Sequence, residues 1–386
     1  MIRRQLKKLV DKATVNNYQT LNMIELSQSR LEHNAGLFKQ LNPGIGIIPV
    51  LKSNAYGHGL IELAKMLNSV ECDFIAVDGY FEAAKIRDIT RHKILVLGYI
   101  LPKNASFLDT KKCSFVVQDI AGLRSLASLK KKVKVHLELN TGMNRLGLAL
   151  DEVDAYLSVI KNSPYLVLEG VMTHLADADN DKDDSFTAGQ VTMFDEIVSD
   201  IQKLGLKPQY IHLAQTAGST RANSKYANSM RIGIGLYGIN PLSQYDEHYK
   251  DLENLQPILT MNSTVIKITQ LAKGDRVSYN GIFTAPKNMK IAVLPLGYYE
   301  GVPRELSNVG TIAYQGNDLN IIGRVCMNHT MFDVSGHDIT VGSVVTVISN
   351  DPKKNNSIDQ IAKKYGIFKY TLMTNISDST RRLIVK

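Results

Sequence analysis

The sequence predicts an α/β fold in its first two thirds, followed by a mainly β domain. Three observations lead there. Short apolar runs alternate with amphipathic stretches, none is followed by a glycine-rich dinucleotide turn, and after about Leu255 closely spaced alternating runs take over. Eight early runs read as strands: Ile45–Leu51, Asp73–Val77, Lys93–Leu97, Ser114–Gln118, Val133–Leu139, Leu166–Met172, Tyr210–Leu213 and Met230–Leu236. They are short and mostly rich in Val, Ile and Leu, as parallel strands covered on both faces are. Leu60–Leu67, Phe81–Ile86, Ala121–Leu129, Asp151–Ile160 and Gln190–Leu204 have helical apolar spacing and suit crossovers. Eight such units in roughly 240 residues predict an N-terminal TIM (β/α)8 barrel, with a doubly wound open sheet as the runner-up.

The barrel is expected over residues 1–254, with a basic extension at 1–13, and the mainly β domain over 255–386. Strands are expected there at Ile258–Ile268, Lys290–Leu294, Thr311–Tyr314, Ile321–Met327, Thr330–Val334 and Ser343–Ile348, separated by Gly, Asn, Asp or Pro. Only Ile358–Tyr365 reads as helical near the end. A barrel places its chemistry at the C-terminal ends of its strands. Lys52, Asp78, Asn140, His174 and Gln215 with Thr216 fall at or near those ends, and Arg231 lies in the last run.

Composition narrows the function classes. The 386 residues are 44% hydrophobic and carry a net charge of +8. The charge is dispersed and no zinc-finger or RNA-binding signature appears, so a nucleic-acid binder is not expected. Three cysteines, Cys72, Cys113 and Cys326, make no disulfide framework and fit a reducing, cytoplasmic setting. No CxxC or HExxH spacing announces a metal. No run approaches about 18 apolar residues, so no membrane span is expected.

Lys52 ends the first strand. A partly desolvated lysine at a barrel mouth has a lowered pKa and suits Schiff-base chemistry. Its neighbours, Val50-Leu51-Lys52-Ser53-Asn54-Ala55-Tyr56-Gly57-His58-Gly59, resemble the cofactor-lysine motif of alanine racemases, VVKANAYGHG. Asn140-Thr141-Gly142-Met143-Asn144-Arg145-Leu146-Gly147 is similar to that family's DTGMGRLG. Further matches follow in the family's order: Gly170–Asp179, Arg231–Gly238, Val277–Gly281, Gly297–Gly301 and Gly323–Asn328.

The resemblance implies a pyridoxal 5′-phosphate (PLP) enzyme, an isomerase that interconverts L- and D-alanine for peptidoglycan. Lys52 would hold the cofactor and act as one acid/base group, and Tyr279 would be the other, on the opposite face. The tyrosine would come from the second subunit of a head-to-tail homodimer with shared active sites. Arg231 would face the pyridine nitrogen, supported by His212, with His174 beside the cofactor. Tyr56, Thr216, Gly233 and Ile234 would bind phosphate, Arg145 and the Met327 backbone the substrate carboxylate, and Tyr298 would gate the entrance.

Several positions depart from the family. Glu138 stands where many members have a lysine, often carbamylated, and would supply its negative charge directly. Asn140, Gln215-Thr216, Glu300 and Asn328 replace Asp, Asn-Ser, Asp and Asp, and Asp378 falls where a phosphate-binding tyrosine is usual. A wider pocket for serine or basic amino acids is therefore an alternative. A PLP-dependent decarboxylase and a non-catalytic PLP-binding regulator are the other readings.

Overall fold

A computed structural model describes residues 18–386. The predicted basic extension at 1–13 lies outside them. The described residues open with β1 (Asn22–Ser27) and a helix, Gln28–Leu41, whose N-terminus is capped by Ser27. The barrel strands follow: β2 (Gly46–Pro49), β3 (Phe74–Val77), β4 (Lys93–Val96), β5 (Cys113–Val117), β6 (Val133–Glu138), β7 (Leu166–Met172), β8 (Tyr210–His212) and β9 (Ser229–Ile232). Each overlaps one predicted run. They pair in the order β2-β9-β8-β7-β6-β5-β4-β3, all in parallel, and a bridge from Val50 to Ala76 joins the two ends of the sheet. The inner face is filled from strand to strand by Ile48, Phe74, Leu95, Val116, Met172 and Tyr210. Outward-facing apolar residues pack under the surrounding helices.

The barrel sheet is irregular between β6 and β7. Val135 pairs with Leu168 but His136 pairs with Gly170, so β7 carries a bulge at Glu169. An extra residue in one strand re-aims its side chain. Leu168 and Val171 pack in the outer core, so the extra residue leaves Glu169 and Gly170, two residues in succession, facing the barrel interior.

The second domain is mainly β. A six-stranded mixed sheet contains Leu259–Thr264, Thr311–Tyr314, Asn317–Asn320, Val344–Ile348, Arg381–Val385 and β1. A three-stranded sheet joins Lys267–Leu271, Met289–Leu294 and Thr330–Asp333. Thus β1 belongs to a sheet more than 230 residues downstream (Ile24 opposite Met261) and also runs parallel to Arg381–Val385.

Four expectations change. The run Ile258–Ile268 splits into two strands in different sheets. Ile321–Met327 is not a strand: after an isolated bridge from Ile321 to Phe332 it becomes a loop, turned by Gly323 at φ 71°. The run Met230–Leu236 leaves the sheet after Ile232 for a 3-10 turn, Ile234–Tyr237. A second late helix, Lys369–Thr374, follows Ile358–Tyr365.

Candidate active site

A cavity of about 500 Å³ opens at the C-terminal ends of the barrel strands. Lys52, Tyr56, His174, Thr216, Arg231, Gly233, Ile234 and Arg145 all line it. His212 lies directly behind Arg231, out of contact with the cavity.

The segment that carries Lys52 is backbone-strained. Ser53, Asn54, Ala55 and Tyr56 have φ between 52° and 56°, so the chain makes a left-handed turn. Non-glycine residues pay roughly 1–2 kcal/mol each for that conformation. Tertiary contacts hold it. Asn54 accepts from Leu60 N at 2.9 Å, and Glu82 accepts from Asn54 N at 3.3 Å. From the far end of the chain, Arg382 donates to Gly57 O at 2.7 Å and His58 O at 3.0 Å. A Cβ on Gly57 would lie 1.9 Å from Met373 O, so only glycine lets the second domain approach this closely. Strain held at a single turn by distant groups is a mark of functional sites.

Burial pushes the Lys52 ammonium below its ordinary pKa; Arg145 and Arg231 push the same way and Asp78 opposes them. Arg231 is 3% exposed. One terminal nitrogen donates to His212 Nδ1 at 2.8 Å and His212 O at 2.9 Å. The other donates to Thr173 O at 2.7 Å and Leu213 O at 3.1 Å, with His174 Nδ1 at 3.2 Å. Burial lowers Arg231 to about 10, against the favourable charge of Glu138, so it stays cationic at neutral pH. His174 falls to about 3 through burial and the charges of Arg231, Arg145 and Lys52, and is neutral. Tyr56 rises to about 12 through burial and remains a phenol.

Tyr279, Tyr298 and the Met327 backbone are elsewhere. Tyr279 and Tyr298 line a second cavity of about 470 Å³ in the β domain, together with Cys326. Tyr279 is 68% exposed. Ser278, at φ 66°, aims the tyrosine loop and anchors it by donating to Arg324 O at 2.7 Å. Tyr298 N and Tyr299 N donate to Cys326 O and Met327 O, both at 3.0 Å, so the Tyr298 loop is stitched to the Met327 loop.

The departures from the family pattern resolve into local pairs. Asn328 Nδ2 donates to Glu300 Oε1 at 2.7 Å, so the two altered positions satisfy each other. Asn140 Oδ1 accepts from Gly142 N and Asn144 N, bracing the Arg145 loop. Gln215 Oε1 accepts from Gly218 N at 2.5 Å. Asp378 is exposed, and its charge favours the Arg382 cation rather than reaching the cavity. Tyr370, on the late helix absent from the sequence reading, lines the cavity instead, its ring 6.0 Å from that of Tyr56. Glu138 lines the cavity and accepts from Gln118 at 3.3 Å. Glu138→Gln is expected to raise the Michaelis constant several-fold by removing the negative charge near Arg145 and Arg231; steady-state kinetics with both constants unchanged would remove Glu138 from the site.

The fold and site define a barrel with a desolvated lysine and a buried arginine lining one cavity at the C-terminal ends of its strands. Family models describe residues 26–241 as "Alanine racemase, N-terminal domain" and residues 258–384 as "Alanine racemase, C-terminal domain". The chain belongs to the alanine racemase family. It is 31% identical to an alanine racemase of Francisella philomiragia over 373 residues, covering 95% of this chain and 100% of that one. It is 32% identical to one from Leptospira interrogans over 371 residues, covering 94% and 95%. The structure matches the alanine racemase of Clostridium difficile with a TM-score of 0.88 at 27% identity, covering 96% and 97% of the two chains.

Proposed function

We propose that the protein is a PLP-dependent alanine racemase that interconverts L- and D-alanine with two bases, Lys52 and the partner subunit's Tyr279, and supplies D-alanine for peptidoglycan. The observation that carries this reading is the division of the bases. Lys52 sits in the barrel cavity, whereas Tyr279 projects from a separate cavity in the β domain. Within one chain the barrel cavity holds one of the two proposed bases, and a head-to-tail homodimer would supply the second. Exposed apolar side chains at the barrel mouth, Phe81, Tyr99, Leu101 and Leu146, fit a surface that a second subunit covers. The barrel domain is taken as 1–254 and the β domain as 255–386, with β1 lent to the second sheet. A cytoplasmic location fits three free cysteines and, among the described residues, no helix long and apolar enough to cross a membrane.

PLP fits the residues present. At Gly233 a Cβ would meet Tyr56 Oη at 2.6 Å, so the glycine leaves a cradle between its backbone and the phenol. Thr216, whose hydroxyl accepts from Gly235 N at 3.2 Å, flanks that cradle. Gly233 and Ile234 amides, Thr216 and Tyr56 would hold the phosphate, and Tyr370 would close the same corner. Lys52 would hold the aldehyde end. When bound, PLP supplies an electron sink that acidifies the substrate Cα–H.

The chain supplies the rest. Arg231 is too basic to give up its proton, so it would leave the cofactor's ring nitrogen unprotonated and the electron sink weak, which would favour prompt return of the proton over side reactions. Arg145 and the partner subunit's Met327 amide would orient the carboxylate, and Tyr298 would narrow the entrance. One base removes the Cα proton while the other returns a proton from the other side, which inverts the centre.

The test is a panel of L-amino acids incubated with the holoenzyme and resolved by chiral chromatography. L-Alanine should convert fastest. Serine, lysine or arginine converting faster would move the substrate to the broader racemases, and carbon dioxide release would move the reaction to decarboxylation.

A further inference from the structure

Behind Arg231 the barrel interior carries a buried polar chain that the proposed reaction leaves without a role. Arg231 Nη1 donates to His212 Nδ1 at 2.8 Å. His212 Nε2 meets His136 Nδ1 at 2.9 Å. His136 Nε2 meets Glu169 Oε2 at 3.4 Å. Both histidines are fully buried, and Glu169 is 4% exposed. Ser114 Oγ and Lys134 Nζ, the latter at 2.7 Å, also donate to Glu169, and Lys93 Nζ lies 3.7 Å away. The chain thus runs from the lysines beside Glu169 up to the cavity floor.

Two backbone features make it possible. The bulge in β7 lets Glu169 and Gly170 face the barrel interior in succession. The next residue, Gly170, separates β6 from β8, and a Cβ there would lie 2.2 Å from His136 Nδ1. Without a side chain at 170, imidazoles from two non-adjacent strands meet across the strand between them.

The protons on this chain have one consistent arrangement. Arginine only donates, so His212 Nδ1 must accept, and the His212 proton sits on Nε2. That proton requires His136 Nδ1 to accept, and the His136 proton then sits on Nε2, aimed at Glu169. Burial pushes both histidines below their ordinary pKa, which keeps each neutral. Burial raises Glu169, but hydrogen bonds from His136, Lys134 and Ser114 outweigh it and hold the carboxyl at about 2, so it is an acceptor throughout.

We propose that Glu169 is a positioning residue for Arg231, fixing the tautomers of His136 and His212 through Gly170 so that His212 always presents an acceptor to the arginine. Without a carboxylate at 169 the tautomers are held from the Arg231 end alone, and His136 gains access to the form that carries its proton on Nδ1. That proton faces the one on His212 Nε2, His212 shifts its own to Nδ1, and Arg231 loses its partner. The functional consequence rests on the reading of Arg231 as facing the cofactor; the tautomers do not.

The experiment measures both. In the full-length holoenzyme labelled with 15N-histidine, long-range 1H–15N correlations report which nitrogen of each ring carries the proton. Wild type should show Nε2–H at both His136 and His212. Glu169→Leu should show mixed tautomers at both, a racemisation rate lower by about tenfold, the scale typical of residues that orient a functional group from behind, and faster loss of cofactor to the amine form. Glu169→Gln keeps an acceptor oxygen and should restore both tautomers and most of the rate. Gly170→Ala, which crowds His136 while leaving every polar group in place, should behave like Glu169→Leu. An Nδ1–H or doubly protonated ring in wild type overturns the proposal, even if Glu169→Leu fails to fold. So does Glu169→Leu with both tautomers and product partition unchanged. Fixed tautomers in a protein that racemises nothing would leave the relay standing and remove the racemase reading.

Discussion

Lys52→Ala and Tyr279→Phe are each expected to lower alanine racemisation by about 10²–10⁴-fold, the range that a positioned acid or base contributes. Mixed in equal amounts and allowed to exchange subunits, the two inactive proteins should recover about a quarter of wild-type activity, as random pairing in a symmetric dimer requires. Half of the dimers are then hybrid. In each hybrid one site combines two defects and the other combines an intact Lys52 with an intact Tyr279. The recovery follows from the separation of the two residues into different cavities. Activity that stays at the level of the single variants, with subunit exchange shown by mass spectrometry, would place both bases in one chain and refute the shared site.

Arg231→Leu is expected to lower folding stability by about 3–5 kcal/mol, measured by urea unfolding of the protein with its cofactor removed. The change strips donors from His212 Nδ1, His212 O, Thr173 O and Leu213 O, all buried at the cavity floor. A buried acceptor left without a donor costs about 1–3 kcal/mol. Arg231→Lys should recover only part of the loss, because an ammonium has three donors on one nitrogen and no planar fork. A loss below about 1 kcal/mol for Arg231→Leu would mean that water takes over these acceptors and that the arginine is held more loosely than its contacts indicate.

The barrel strands are legible in the sequence because each is a compact apolar run between helical spacings, a local signal. The groups around the cavity are legible for a related reason: Lys52, His174, Thr216 and Arg231 lie at or beside the ends of such runs. Long-range pairings leave no local mark. Asn22–Ser27 mixes Asn, Glu and Ser with apolar residues, and its partners lie at Leu259–Thr264 and Arg381–Val385. Ile321–Met327 reads as a strand because its side chains are apolar; Ile321, Ile322 and Val325 are buried, yet the backbone turns at Gly323. Tyr370 leaves no mark in the sequence because its helix has six residues and no extended apolar face. The Glu169 bulge is invisible in Leu166–Met172, since only the register with β6 shows that one residue is extra.

The pairing of β1 with Arg381–Val385 bears on how the protein is made on the ribosome. Synthesis runs from the N-terminus at about 5–20 residues per second, so β1 waits on the order of a minute for its last partner. Arg382, in that same late strand, is also the residue that clamps the left-handed turn after Lys52. A nascent chain can therefore assemble barrel strands early, but the segment proposed to carry the cofactor receives its clamp only when the final strand docks. Chains released before that point would lack a finished lysine turn, and so would be poor traps for a reactive aldehyde.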